Sequence, residues 1–82
     1  MDPEEIKRII ESGLEGVEVT VSGDGRHFDA VVVGELFAGK TMIAQHRLVY
    51  ATLGDRFDRD EVHALSIKTY TPEQWEQLRP KS

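Results

Sequence analysis

This sequence of 82 residues contains no cysteine. Without a thiol the chain forms no disulfide, offers no thiolate to a metal and has no cysteine nucleophile. Any thiolate ligand at a site that involves this protein must therefore come from another molecule.

Long hydrophobic runs are also missing. No apolar stretch approaches the roughly 18 residues that cross a bilayer as a helix, and the first residues, MDPEE, lack the basic and apolar parts of a signal peptide. The composition, 39% apolar and 30% charged, is that of a soluble globular protein. We therefore expect one cytoplasmic domain over residues 1–82, monomeric when isolated.

Basic residues are scarce relative to acidic ones. The net charge is −5, and residues 1–24 hold seven acidic and two basic residues. Nucleic-acid binding draws its affinity from clustered lysine and arginine, so the overall charge argues against general binding of this kind. Residues 25–50 have three basic and two acidic residues, which leaves a local basic patch open.

Recognisable catalytic motifs are missing too. We find no Ser-His-Asp order, no phosphate loop and no pair of carboxylates distinct from the solvated acids. The sequence predicts a protein that is not an enzyme.

The first half of the chain predicts a helix followed by a β-hairpin. Asp2 is a helix cap, Pro3 suits the first turn, and the helix should end near residue 13. Valines at 17, 19 and 21 alternate with polar residues, as in a strand with one buried face. Residues 22–25 form a turn, and residues 28–33 pair back as a more central antiparallel strand.

The second half predicts helix, strand and helix. Residues 40–53 have a helical pattern, with a short helix at 55–60 and a third strand at 62–70. Thr71 and Gln74 cap a terminal helix that Trp75 anchors in the core.

The helix predicted at 40–53 should have one apolar face. The apolar positions expected to share this face are Met42, Ile43, Val49, Tyr50 and Leu53, with Gln45, Arg47 and Thr52 on other faces.

The resulting order is α-β-β-α-(short α)-β-α. We therefore predict an α+β domain with helices packed on one face of a three-stranded sheet.

Two histidines lie in apolar surroundings and have two interpretations each. His63 shares a strand face with Leu65 and Ile67, so it is either a buried, hydrogen-bonded imidazole or an exposed ligand at the start of the strand. His46 lies four residues before Tyr50 on the predicted helix, and packing explains it better than ligation.

Four segments together resemble one family. They are residues 34–39 (GELFAG), 45–50 (QHRLVY), 62–66 (VHALS) and 70–75 (YTPEQW), in this order and spacing. They are similar to the BolA family, and the short loop at 22–28 resembles its compact bacterial members. The resemblance implies a fold similar to a type II KH domain.

The resemblance also implies a partner and a cofactor. The family's usual partner is a monothiol glutaredoxin with a Cys-Gly-Phe-Ser motif, and a bridging [2Fe-2S] cluster is shared between the two proteins and glutathione. The chain alone is expected to hold no cofactor. By resemblance His63 is the first cluster ligand; the second lies in the loop between the first two strands, where His27 is a provisional candidate and Asp24 a weaker one.

A DNA-binding regulator is the alternative. BolA-like proteins are also linked to transcriptional control, and a surface similar to a KH or helix-turn-helix domain would use Lys40, Arg47, Arg56 and Arg59. Only Gly39 remains of the Gly-x-x-Gly loop with which KH domains approach phosphates, which weakens the case for generic RNA binding.

Overall fold

The computed structural model describes residues 2–24, 26–54 and 65–78. Within these ranges the elements are α1 (Pro3–Gly13), β1 (Glu18–Gly23), β2 (Phe28–Val33), a 3-10 turn (Glu35–Phe37), α2 (Met42–Leu53), β3 (Leu65–Tyr70) and α3 (Pro72–Leu78). The predicted α+β class and the order of these elements are confirmed. The short helix expected at 55–60 and the first residues of the predicted third strand, 62–64, lie outside the described residues.

The three strands form one mixed sheet in the order β1-β2-β3. β1 and β2 form an antiparallel hairpin, whereas β2 and β3 run parallel, with Phe28 opposite Leu65 and Val33 opposite Tyr70. The central position predicted for β2 is confirmed. Parallel strands need a long crossover, and α2 lies within the segment that connects β2 to β3.

The hydrophobic core lies between one face of the sheet and the two longer helices. Alternate residues of each strand point to this face, while their neighbours, such as Thr20 and Lys68, are exposed on the other. α1 contacts β1 and α2, and α2 contacts β3. The buried core residues are Ile6, Ile10, Val19, Phe28, Ala30, Val32, Phe37, Val49, Leu53 and Leu65.

Helix α1 begins and ends where the sequence predicts. The Asp2 carboxylate accepts a hydrogen bond from the backbone N–H of Glu5 at 2.9 Å, which satisfies one of the free donors of the first turn. The backbone N–H of Leu14 donates to the Ile10 carbonyl at 3.1 Å and closes the last turn after Gly13.

Helix α2 differs from its prediction in its start and in its buried face. It begins at Met42, because Thr41 caps it by accepting from the N–H of Ala44 at 3.2 Å. The predicted apolar face is wrong: Met42 and Ile43 are 70% and 67% exposed and Tyr50 is also exposed, whereas Val49 and Leu53 are buried. The polar side chains of Gln45 and Thr52, expected on other faces, are half-buried.

Helix α3 starts with the predicted reciprocal cap. The Thr71 hydroxyl accepts from the N–H of Gln74 at 3.2 Å, and the Gln74 amide oxygen accepts from the N–H of Thr71 at 2.9 Å. Trp75 is half-buried and stacks at 40° on Tyr70 with ring centroids 5.4 Å apart. This ring contact anchors α3 to the end of β3. The predicted place of Trp75 in the core is wrong, because no residue of α3 is fully buried.

Candidate functional site

The loop between β1 and β2 is organised by Asp24. Its carboxylate oxygen Oδ1 accepts hydrogen bonds from the backbone N–H groups of Arg26 and His27, each at 2.9 Å. The Asp24 N–H in turn donates to the His27 carbonyl at 3.2 Å. This loop therefore fixes the backbone of His27 while its side chain stays exposed to solvent.

The same contacts stabilise the charged form of Asp24. The N–H of His27, then that of Arg26, and to a smaller extent the nearby His27 charge lower the pKa of the carboxyl below 3.8. The structure therefore gives Asp24, the weaker ligand candidate, a role in shaping the loop.

The exposed His27 lies at the end of the sheet where β3 begins. It directly precedes Phe28, and Phe28 is the register partner of Leu65, the first residue of β3. His63 precedes Leu65 by two positions in the sequence and lies outside the described residues. Its assignment as first cluster ligand stays a prediction, and so does that of His27 as the second.

The described residues do not form a complete metal site by themselves. Among them no group of three or more His, Cys, Asp or Glu side chains is placed to hold a metal ion. The exposed imidazole of His27 is a type of side chain that is able to ligate iron.

His46 lies away from this end of the sheet. Its half-buried ring lies on α2 beside Met42, and both side chains line a groove along the second half of β3. The structure therefore does not bring His46 to the β1–β2 loop.

The candidate nucleic-acid residues are only partly described. Lys40 and Arg47 are exposed, one just before α2 and the other in its second turn. Gly39, next to Lys40, has a positive φ of 75°, a conformation that favours glycine. Arg56 and Arg59 lie outside the described residues.

Gln45 is a residue whose importance the sequence did not reveal. Its side-chain amide donates to the carbonyls of Phe37 and Lys40, each at 3.0 Å, and accepts from the hydroxyl of Thr69. It thus ties α2 to the preceding loop and to β3. No local pattern distinguishes it from a surface glutamine, because its partners are carbonyls and a distant threonine.

Comparison with known proteins identifies the family. A family profile described as BolA-like protein matches residues 1–74. The acid stress protein IbaG of Escherichia coli is 41% identical over 75 residues, which cover 92% of this chain and 89% of that protein. The DNA-binding transcriptional regulator BolA of Vibrio cholerae is 42% identical over 80 residues, which cover 98% of this chain and 72% of that protein.

The fold agrees with these matches. The solved structure of a BolA protein homologue from Coxiella burnetii superposes with a TM-score of 0.81 at 47% identity, covering 93% of this chain and 97% of the other. The relatives are named as a stress protein and a regulator rather than as enzymes. None of the helices in the described part of the chain is long and apolar enough to span a membrane. The sequence matches and the shared fold together show that this chain belongs to the BolA family.

Proposed function

We propose that this protein is a non-enzymatic partner of a monothiol glutaredoxin of the Cys-Gly-Phe-Ser type. In the complex it shares a bridging [2Fe-2S] cluster, for iron–sulfur cluster trafficking or iron regulation in the cytoplasm. His63 is the first ligand from this chain and His27 the provisional second.

One observation carries the proposal. The register of β2 with β3 brings the exposed His27 to the end of the sheet at which β3 starts. His63 stands two positions before Leu65 in the sequence, and two residues of extended chain span at most about 7 Å. The proposal therefore assigns both candidate imidazoles to one surface at this end of the sheet, which a single partner is able to cover.

The chemistry of the chain suits a shared site. Because the chain has no cysteine, the proposal assigns the thiolate ligands to the glutaredoxin and glutathione. When bound, a cluster with imidazole in place of thiolate on one iron has a higher reduction potential than an all-thiolate cluster. The chain's own contribution is to present an imidazole nitrogen from the β1–β2 loop, where Asp24 holds the backbone of His27 in place.

Anaerobic visible absorption and circular dichroism test the proposal. A holo monothiol glutaredoxin is titrated with the wild-type chain and with His63→Ala and His27→Ala. We expect a new spectrum that saturates near one-to-one with the wild type and is lost with His63→Ala. A partial change with His27→Ala would identify His27 as the second ligand.

His46→Ala is the matched control, because it removes an imidazole that lies along the other half of β3. It should give the wild-type spectrum. An unchanged glutaredoxin spectrum with the wild-type chain would contradict cluster sharing, and an unchanged mixed spectrum with His63→Ala would contradict the ligand assignment alone.

A DNA-binding regulator is the second candidate, supported by the exposed Lys40 and Arg47 around the start of α2. The relative from Vibrio cholerae is named as a DNA-binding transcriptional regulator, which also favours this candidate. Phosphate contacts weaken steeply with salt, so DNA affinity must fall as salt rises and must fall again in the double variant Lys40→Ala and Arg47→Ala. A DNA affinity that changes neither with salt nor in the double variant would contradict this candidate function.

A further inference from the structure

The outer edge of β3 offers free backbone groups in the described part of the chain. β3 is an edge strand, and its Tyr70 carbonyl accepts from the N–H of Gly34 at 2.9 Å, on the side of β2. Because successive residues of a strand direct their polar groups to opposite edges, those of Ile67 and Thr69 point away from β2. Among the described residues no backbone hydrogen bond from another segment reaches this edge.

A groove runs along this edge. Its first part, of about 300 Å³, is lined by Met42 and His46 of α2 and by residues of β3 that include Ile67 and Thr69. It adjoins a second part, of about 460 Å³, which shares Met42 and Thr69 and extends to Leu78 of α3. The floor of the groove is therefore a strand edge, and its walls are helices.

The walls expose apolar side chains that a partner would cover. Met42 is 70% exposed and Leu78 is 59% exposed, although both line the groove. An edge strand flanked by exposed apolar residues is a template for strand pairing.

The charge around the groove favours a partner segment with acidic side chains. No aspartate or glutamate is among the described residues that line either part, although the chain as a whole has a net charge of −5. Lys68 is exposed on the opposite face of the same edge strand. A strand added here would have one row of side chains against Met42 and His46 and the other row beside Lys68.

We propose that the outer edge of β3 binds an extended segment of a partner protein in which apolar and acidic side chains alternate. The segment adds a fourth strand, with main-chain hydrogen bonds to Ile67 and Thr69. Its apolar side chains pack under α2, and its acidic side chains pair with Lys68. Main-chain pairing with pockets for alternate side chains is an established mode of peptide recognition.

The docking edge and the proposed cluster surface use different residues of the chain. The β1–β2 loop lies beside Leu65, whereas the groove begins at Ile67 and extends past Tyr70 to Leu78. The proposal does not depend on the cluster, so each of the two is able to fail without the other.

Nuclear magnetic resonance of the full ¹⁵N-labelled chain tests the docking edge. The probe is a peptide of four Val-Glu repeats with blocked ends, and a Val-Lys peptide of equal length is its control. We expect the Val-Glu peptide to shift amide signals of residues 42–46 and 65–70. The Val-Lys peptide should bind more weakly.

Two variants and two matched controls locate the binding. Met42→Ser and Lys68→Glu should each weaken binding about fivefold, which corresponds to about 1 kcal/mol. Ile43→Ser removes a side chain of the same helix that is 67% exposed but does not line the groove, and Lys7→Glu reverses a charge on α1. Both controls should leave the affinity unchanged.

Four results would overturn the proposal. The first is no shift at residues 65–70 with millimolar Val-Glu peptide, and the second is equal weakening by the control variants. The third is a dimer in sedimentation that buries the same residues, which would make a second copy the occupant. The fourth is tighter binding of a thymidine oligonucleotide to these residues, which would make the groove a nucleic-acid site.

Discussion

Gly13 of α1 packs directly against Thr52 of α2: a methyl group at Gly13 would lie 2.5 Å from the Thr52 Cγ2 atom. The φ of Gly13 is not positive, so alanine fits the backbone but not the space. Overpacking costs about 1–3 kcal/mol and outweighs a gain in helix propensity of at most about 1 kcal/mol. We expect Gly13→Ala to lower the free energy of unfolding in urea.

A rescue experiment separates crowding from backbone strain. Thr52→Ser removes Cγ2, so it should recover part of the stability that Gly13→Ala loses. Gly16 has a φ of 69° and open space around it, so Gly16→Ala should lose stability that Thr52→Ser does not recover. Additive effects of Gly13→Ala and Thr52→Ser would contradict the packing argument.

Gln45→Ala should destabilise the protein by about 2–3 kcal/mol, because two carbonyls lose a donor and the Thr69 hydroxyl loses an acceptor. Gln45→Glu keeps the size of the side chain but removes both donated bonds, so it should be at least as harmful at neutral pH. Arg47→Ala, an exposed change on the same helix, should stay within about 0.5 kcal/mol of wild type. Chemical denaturation measures the free energy of unfolding of the three variants. A Gln45→Ala variant as stable as the wild type would contradict the bridging role of Gln45.

Acid should loosen the β1–β2 loop at a pH set by Asp24. The N–H groups of His27 and then Arg26 lower the pKa of Asp24 in the folded state. The charged carboxylate therefore stabilises the folded loop above pH 3.8, and this stabilisation is lost as the pH falls through the lower folded-state pKa. The amide signals of Arg26 and His27 should move with a midpoint below 3.8. In Asp24→Asn this step should disappear; a wild-type midpoint at or above 3.8 would be inconsistent with the hydrogen bonds described.

Thr71→Ala should fray α3 and cost about 1 kcal/mol, because it removes the hydroxyl that caps the N–H of Gln74. Trp75 is the single tryptophan and stacks on Tyr70, so its fluorescence reports the change. Gln77→Ala, at an exposed position of the same helix, is the control and should leave the emission unchanged. Unaltered emission and stability in Thr71→Ala would show that ring stacking alone holds α3.

Local signals in the sequence were sufficient for much of the fold. Asp2 and Thr71 mark helix starts because a cap depends on residues only three positions apart. The hairpin follows from the alternation of valines in β1 and the near-continuous apolar run of β2, and the central position of β2 follows from that run.

Helix α2 could not be predicted in the same way. It has apolar residues on more than one face, and only the tertiary contacts decide that Val49 and Leu53 are buried while Met42 and Ile43 are exposed. The role of Gln45 likewise depends on Thr69, a residue 24 positions away. For the candidate site, the structure adds that the His27 side chain is exposed. The assignments of His27 and His63 as cluster ligands both stay predictions.

The parallel pairing of β2 with β3 also has a consequence for how the molecule forms. Phe28 and Leu65 are 37 positions apart (65 − 28), whereas β1 and β2 join through a short loop. Closing a long loop has a larger entropic cost than closing a short one, so we expect the hairpin to form early and β3 to dock late. During synthesis, the end of the sheet that presents His27 is completed only after most of the chain has left the ribosome.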